Sequence, residues 1–214
     1  SDMKIPMRIK VLMIWHKIFY SKSKADSLVK ISNEGKGVNS VLFFLPSEKK
    51  LAQVVSHFVK RNFDQDSIEV KYIVHKNGLY HYNEILKSDI VTFSDADLNW
   101  FGILNFDKIK QKISGVNYNA LVDLNRSLDQ PLSLLSMRLD IPIKVGFLSP
   151  ISSSLYNVVI DPLENRGFKY HTGITFTIFS DKLKGEIAKG GSYNILTGET
   201  ATGCTIYTEK VYPN

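Results

Sequence analysis

The spacing of apolar positions changes along this chain. Over residues 5–20, Ile9, Leu12, Met13, Trp15, Ile18 and Phe19 recur at intervals of three and four among basic residues. That spacing predicts an amphipathic helix, with a strand through Ile9–Ile14 as the rival assignment. Residues 21–37 are polar and close on Gly35-Lys36-Gly37, a connector. Val41-Leu42-Phe43-Phe44-Leu45, closed by Pro46, is a continuous apolar run of the kind a buried parallel strand uses. Ser47 then caps a helix with Leu51, Val54, Val55, Phe58 and Val59 at helical spacing. Further strands are expected at Ile68–Val74, Ile90–Phe93, Ala120–Leu124 and Ile143–Phe147, with a turn at Lys76-Asn77-Gly78. Helices are expected at Phe106–Ile113 and at Gln130–Leu139, the latter opened by Pro131 in its first turn.

Strands alternating with helices of this length predict right-handed crossovers and an α/β fold: a Rossmann-like, mostly parallel sheet with flanking helices. Ser149-Pro150 and Ser152-Ser153-Ser154 read as loop, and Asn157–Asp161 as a sixth strand. The pattern then becomes antiparallel, with strands expected at Tyr170–Phe179, Gly185–Lys189 and Gly203–Thr208. Gly185–Gly191 reads as a hairpin return. The expected organisation is a basic helical arm and connector over 1–37, a Rossmann-like domain over 38–160 and an antiparallel β segment over 161–214. The last segment is expected to pack on the edge of the sheet or to pair with another subunit.

Charge sharpens this picture at one end. Residues 1–36 hold eight Lys/Arg against three acids, which is +5 of the chain's formal +6. Such an arm can lie on a solvated helix face or meet an anionic membrane surface. No run reaches the ~18 apolar residues of a membrane span. The single cysteine, Cys204, excludes an intramolecular disulfide and reads as a buried strand residue. Ligands of parallel sheets gather at the carboxyl ends of the strands. The candidate rim is therefore Pro46-Ser47-Glu48, His75-Lys76-Asn77, Ser94-Asp95, Asp123-Asn125-Arg126 and Leu148-Ser149.

Two resemblances refine the expectations. Tyr118-Asn119-Ala120-Leu121-Val122-Asp123-Leu124-Asn125, Leu132-Ser133-Leu134-Leu135-Ser136 and Lys144-Val145-Gly146-Phe147 resemble glycosyltransferase family 9, the lipopolysaccharide heptosyltransferases, over residues ~40–160. The resemblance implies an N-terminal Rossmann-like domain that meets a sugar or nucleotide. Ser47-Glu48-Lys49-Lys50 stands where that family carries a Gly-Asp pair, and no second nucleotide-sugar domain follows residue 160. A degenerate or incomplete transferase is the implied reading. Its catalytic candidates are Glu48, Asp95 and Asp123, and its ligand-binding candidates are Ser47, Asn125 and Arg126.

Arg166-Gly167-Phe168-Lys169-Tyr170-His171-Thr172-Gly173, Gly190-Gly191-Ser192-Tyr193 and Ala201-Thr202-Gly203 resemble the class II histidyl-tRNA synthetase core. They are most similar to its non-aminoacylating relative, the regulatory subunit of ATP phosphoribosyltransferase in histidine biosynthesis. That resemblance covers residues ~166–211 and implies a histidine-binding strand pair with Arg166, Tyr170, His171 and Tyr193 as ligand-binding residues. Ser192 occupies a position where the family has arginine, and class II motifs one and two are absent. The alternative function is thus a non-catalytic regulatory or ligand-binding module. A fusion of two gene fragments without an evolved joint function is a third reading, prompted by the abrupt change of pattern near residue 160.

Other constellations carry less. His75 and His81 flank a turn near Glu84, short of a metal set. Asp95 and Asp97 form a carboxylate pair that could do acid–base work or begin a turn. The expectation is a chain without metal or cofactor that leans away from catalysis. It is placed in the cytoplasm, peripheral to the membrane through its arm, with no nucleic-acid partner and with self-association through the ribbon.

Overall fold

The computed structural model describes residues 7–20, 37–62, 68–85, 87–161, 171–180, 185–194 and 199–207. The chain divides into two compact units, Ser1–Lys144 and Val145–Asn214. Together they carry a mixed α/β fold with a largely parallel sheet and C-terminal antiparallel strands.

In the first unit, α1 (Met7–Tyr20) precedes β1 (Ser40–Leu45), α2 (Lys49–Asn62), β2 (Glu69–His75), β3 (Ile90–Phe93), α3 (Phe106–Ile113), β4 (Ala120–Asp123) and α4 (Gln130–Arg138). The helical assignment for the N-terminal segment holds against the strand. The four strands are parallel in the order β3-β2-β1-β4. Every residue of β1 is buried, because helices cover both faces of the sheet there. Leu42 and Phe44 pack with Ile109 of α3 and Leu132 and Leu135 of α4. Val41, Phe43 and Leu45 point the other way, into Ala52, Val55 and Val59 of α2 and Tyr72 and Tyr82. The two-residue period of one strand thus feeds two cores.

A clamp fixes the start of this sheet. The Ser40 hydroxyl donates to Asn117 O at 2.7 Å and accepts from Asn119 N at 3.0 Å. Asn119 Oδ1 in turn accepts from Asn39 N at 3.0 Å. Residues nearly eighty apart in sequence are tied at the edge of β1 and β4, with the buried Ser40 satisfied.

Lys76-Asn77-Gly78 is not a simple turn. Lys76–Tyr82 forms a seven-residue 3-10 helix capped by His75, whose Nδ1 accepts from Asn77 N at 3.3 Å. This helix presses against the β1–α2 turn: a Cβ on Gly78 would lie 2.6 Å from Ser47 Cα. The buried Tyr82 hydroxyl donates to Pro46 O at 2.7 Å and locks the two together.

The boundary between the units falls inside β5 (Ile143–Phe147). In the second unit, β5 pairs in parallel with β6 (Val158–Asp161) through Val145↔Val158 to Phe147↔Ile160. The Ser-rich stretch between them is not all loop. Ser152–Leu155 forms the single-turn α5, burying Ser152 and Leu155. β7 (His171–Ser180) runs antiparallel to β6 over four residue pairs, so the ribbon adds to a strand edge. β8 (Gly185–Asn194) and β9 (Thr200–Ile206) complete it.

Gly190 and Gly191 are not a hairpin return, because both lie inside β8, which continues to Asn194. Gly190 pairs with Phe176 on one side and Cys204 on the other. A Cβ there would meet the Gly203 carbonyl, and it would come within 2.5 Å of the Phe176 ring and 2.7 Å of Cys204 Cβ. The glycine lets an aromatic ring cover the middle strand. Cys204 is exposed, contrary to the expectation of burial. β9 pairs with β8 on one edge, and its side chains are mostly exposed.

Candidate functional site

Two groups of sequence-singled residues stand on different elements. The first belongs to the strand ends of the first unit. β2 and β3 lie to one side of β1 and β4 to the other, so the topological switch point lies between β1 and β4. Ser47 and Glu48 follow β1 there, and Asn125 and Arg126 follow β4. Ser47 is half-buried, while Glu48 and Arg126 are exposed.

Asp123 ends β4 and is 3% exposed. Its Oδ1 accepts from Asn125 N at 2.9 Å and from Asn125 Nδ2 at 2.8 Å, an arrangement that shapes the turn after the strand. The Asn125 side-chain amide N–H serves that same contact. Asp95 and Asp97 engage different partners. Asp97 accepts from Ser94 N at 2.9 Å and from the Ser94 hydroxyl at 3.1 Å, and these bonds hold its carboxyl below the usual range. Asp95 is exposed and faces His75 Nε2 at 3.5 Å.

One acid near this rim was not anticipated. Asp129 caps α4 by accepting from Leu132 N at 3.2 Å. Burial raises its carboxyl above the ordinary range, partly offset by that bond and by His75. The signal was present in the Asp129-Gln130-Pro131 sequence, a cap residue two before a first-turn proline. Among the described residues no three His, Cys, Asp or Glu come together as a metal set.

A cavity of about 480 Å³ opens elsewhere in the first unit, lined by Trp15, Leu98, Phe106, Leu134 and Arg138 among others. The Arg138 guanidinium lies over the Phe106 ring at 4.1 Å. The cavity takes in Asp97 but not Ser47, Asn125 or Arg126.

The second group belongs to the ribbon. His171 on β7 and Tyr193 on β8 are register partners. Arg166 and Tyr170 lie outside the described residues. Ser192, where the resemblance calls for arginine, faces Thr202 across β8 and β9 with the two hydroxyls 3.2 Å apart. That position offers short neutral donors and acceptors and lacks a cationic fork.

Residues 128–211 match the histidyl-tRNA synthetase family model. The matched stretch thus begins upstream of α4 and runs through β9. Among curated proteins, the ATP phosphoribosyltransferase regulatory subunit of Rhodospirillum centenum is 52% identical over 56 residues, 26% of this chain and 14% of the relative. That of Paramagnetospirillum magneticum is 46% identical over 54 residues, 25% of this chain and 14% of the relative. That of Gluconobacter oxydans is 36% identical over 86 residues, 40% of this chain and 22% of the relative. The chain therefore spans only a minor part of the length of the curated relatives it matches. These matches support the second resemblance and lend nothing to the glycosyltransferase one. No helix among the described residues is long and apolar enough to cross a membrane.

Proposed function

We propose that the chain is a non-catalytic ligand-binding module of the ATP phosphoribosyltransferase regulatory-subunit type. On this reading its C-terminal strands take up free histidine in the cytoplasm, and its protein partner is an ATP phosphoribosyltransferase. The identity to regulatory subunits over 54, 56 and 86 residues carries the reading, and the histidyl-tRNA synthetase-like match over residues 128–211 supports it. The register that makes His171 and Tyr193 partners on β7 and β8 supports it. A free amino acid presents a carboxylate, an ammonium and, here, an imidazole. The Arg166 guanidinium is suited to the carboxylate, and Tyr193 and His171 to the imidazole.

Titration calorimetry of the whole chain with L-histidine tests this. Saturable binding is expected, and Arg166→Ala should weaken it about tenfold, equivalent to ~1.4 kcal/mol. A ligand at a hundred times its dissociation constant adds about 2.7 kcal/mol of stability, so a melting scan gives a parallel readout. No heat and no thermal shift at saturating histidine, in a cooperatively folded sample, sinks the reading.

A second reading rests on the strand order. On this reading the crevice at the switch point between β1 and β4 would take a sugar or nucleotide, with Ser47 and Arg126 on the two strand-end turns. A thermal shift with nucleotide-sugars that Arg126→Ala removes, while histidine gives none, would prefer it.

A further inference from the structure

Trp100 is 85% exposed, far more than a large aromatic usually is, and its neighbour Phe101 is 41% exposed. Their rings stack obliquely with centroids 4.4 Å apart at the tip of the loop before α3. This tip is built. Asn99 Oδ1 accepts from Phe101 N and Ile103 N, both at 3.0 Å. Gly102 N donates to Asn99 O at 2.8 Å. Arg8 of α1 donates to Trp100 O at 3.1 Å, and Gln130 of α4 donates to Phe101 O at 2.8 Å. The carbonyls of both aromatic residues are thus satisfied from within the protein, so the tip can lose hydration without leaving either one unpartnered.

The helix tied to this tip has a second apolar face. Ile9 and Met13 of α1 are buried, but Met7, Val11 and Ile14, spaced four and three apart, are 79%, 58% and 60% exposed. Arg8 and Lys10 of this helix are exposed beside that stripe, and the helix has no acid. An exposed apolar stripe, a projecting indole and flanking cations form the chemical profile of an interfacial surface on anionic lipid.

We propose that Trp100, Phe101 and the Met7–Val11–Ile14 face of α1 form a docking surface for an anionic bilayer. The aromatic tip enters the headgroup region and the helix lies along it. The surface is independent of histidine binding by the C-terminal strands.

The test is co-sedimentation of the whole chain with phosphatidylglycerol vesicles and with phosphatidylcholine vesicles, at low and high salt. Binding to the anionic vesicles, weakened by salt, is expected. The Trp100→Ser variant, at the 85% exposed position, should partition about tenfold less with unchanged circular dichroism and melting, and the Trp100→Ser/Phe101→Ser double variant weaker still with unchanged circular dichroism. Trp15→Phe leaves Trp100 as the one indole of the chain, and its emission should shift to the blue on anionic vesicles. Absence of vesicle binding overturns the proposal, as does equal binding by the double variant. Concentration-dependent dimerisation that the double variant abolishes, without vesicle uptake, overturns it too and assigns the face to a second copy.

Discussion

Two glycines of one strand make opposite predictions for the same substitution. At Gly190 an added Cβ meets a backbone carbonyl, an aromatic ring and a neighbouring Cβ, and the carbonyl belongs to the sheet, so it cannot rotate aside. Overpacking of this kind costs about 1–3 kcal/mol. At Gly185 nothing lies within 4 Å of the same atom, and the residue is not among the positive-φ glycines. There the loss of unfolded-chain freedom stabilises by about 0.4–1 kcal/mol. Gly190→Ala and Gly185→Ala should therefore differ by about 1.4–4 kcal/mol, a melting-temperature gap of roughly 3–16 °C in a chain of this size. The assay is a melting curve for each variant, with hydrogen exchange on a peptide covering residues 185–194 to locate the change. Equal melting temperatures, or equal protection of that peptide, would refute the packing argument and with it the reading of Gly190 as a seat for Phe176.

Tyr82→Phe removes the bond to Pro46 O and leaves a buried carbonyl unpartnered, which should cost about 1–3 kcal/mol in a urea titration. Gly78→Ala forces the 3-10 helix away from Ser47 and should cost about 1–3 kcal/mol, with the first unit's core peptides losing exchange protection. Burial holds the phenols of Tyr72 and Tyr118 up at about 12 and raises that of Tyr82 as well. The native state keeps these protons while the unfolded chain sheds them above about pH 10. Stability is then unaffected below that pH and falls by about 1.4 kcal/mol per pH unit for each tyrosine between about pH 10 and 12. Urea midpoints at pH 9, 10 and 11 measure the slope; a flat profile contradicts it.

The parallel strands were legible because their signal is local. Val41–Leu45 is apolar without interruption since helices cover both faces, and Ile90–Phe93, Phe106–Ile113 and Ile143–Phe147 match the strands and helix found. The misses have physical causes. Ser152–Ser154 looked like loop because serine is a poor helix former, yet one turn forms where Leu155 and Ile151 bury. Gly190-Gly191 looked like a turn because glycine usually punctuates; here Gly190 accommodates a ring from the adjacent β7, a relation no local pattern reveals. Cys204 faces solvent because the outer edge of a ribbon is exposed whatever the residue type. The candidate site was legible as positions at strand ends. What Asp123 and Asp97 do was not, because both engage turn backbone within three residues.

The ribbon has a further consequence for how the chain acquires its shape. β1 finds β4 only after a loop of nearly eighty residues closes, as the Ser40–Asn119 clamp shows. β7, β8 and β9 pair with their sequence neighbours, and only four residue pairs join them to β6. A segment with such low contact order assembles quickly and carries its register with it. It can be appended to an existing strand edge with few new constraints, and the parallel sheet, which nucleates through distant pairings, cannot be moved in this way.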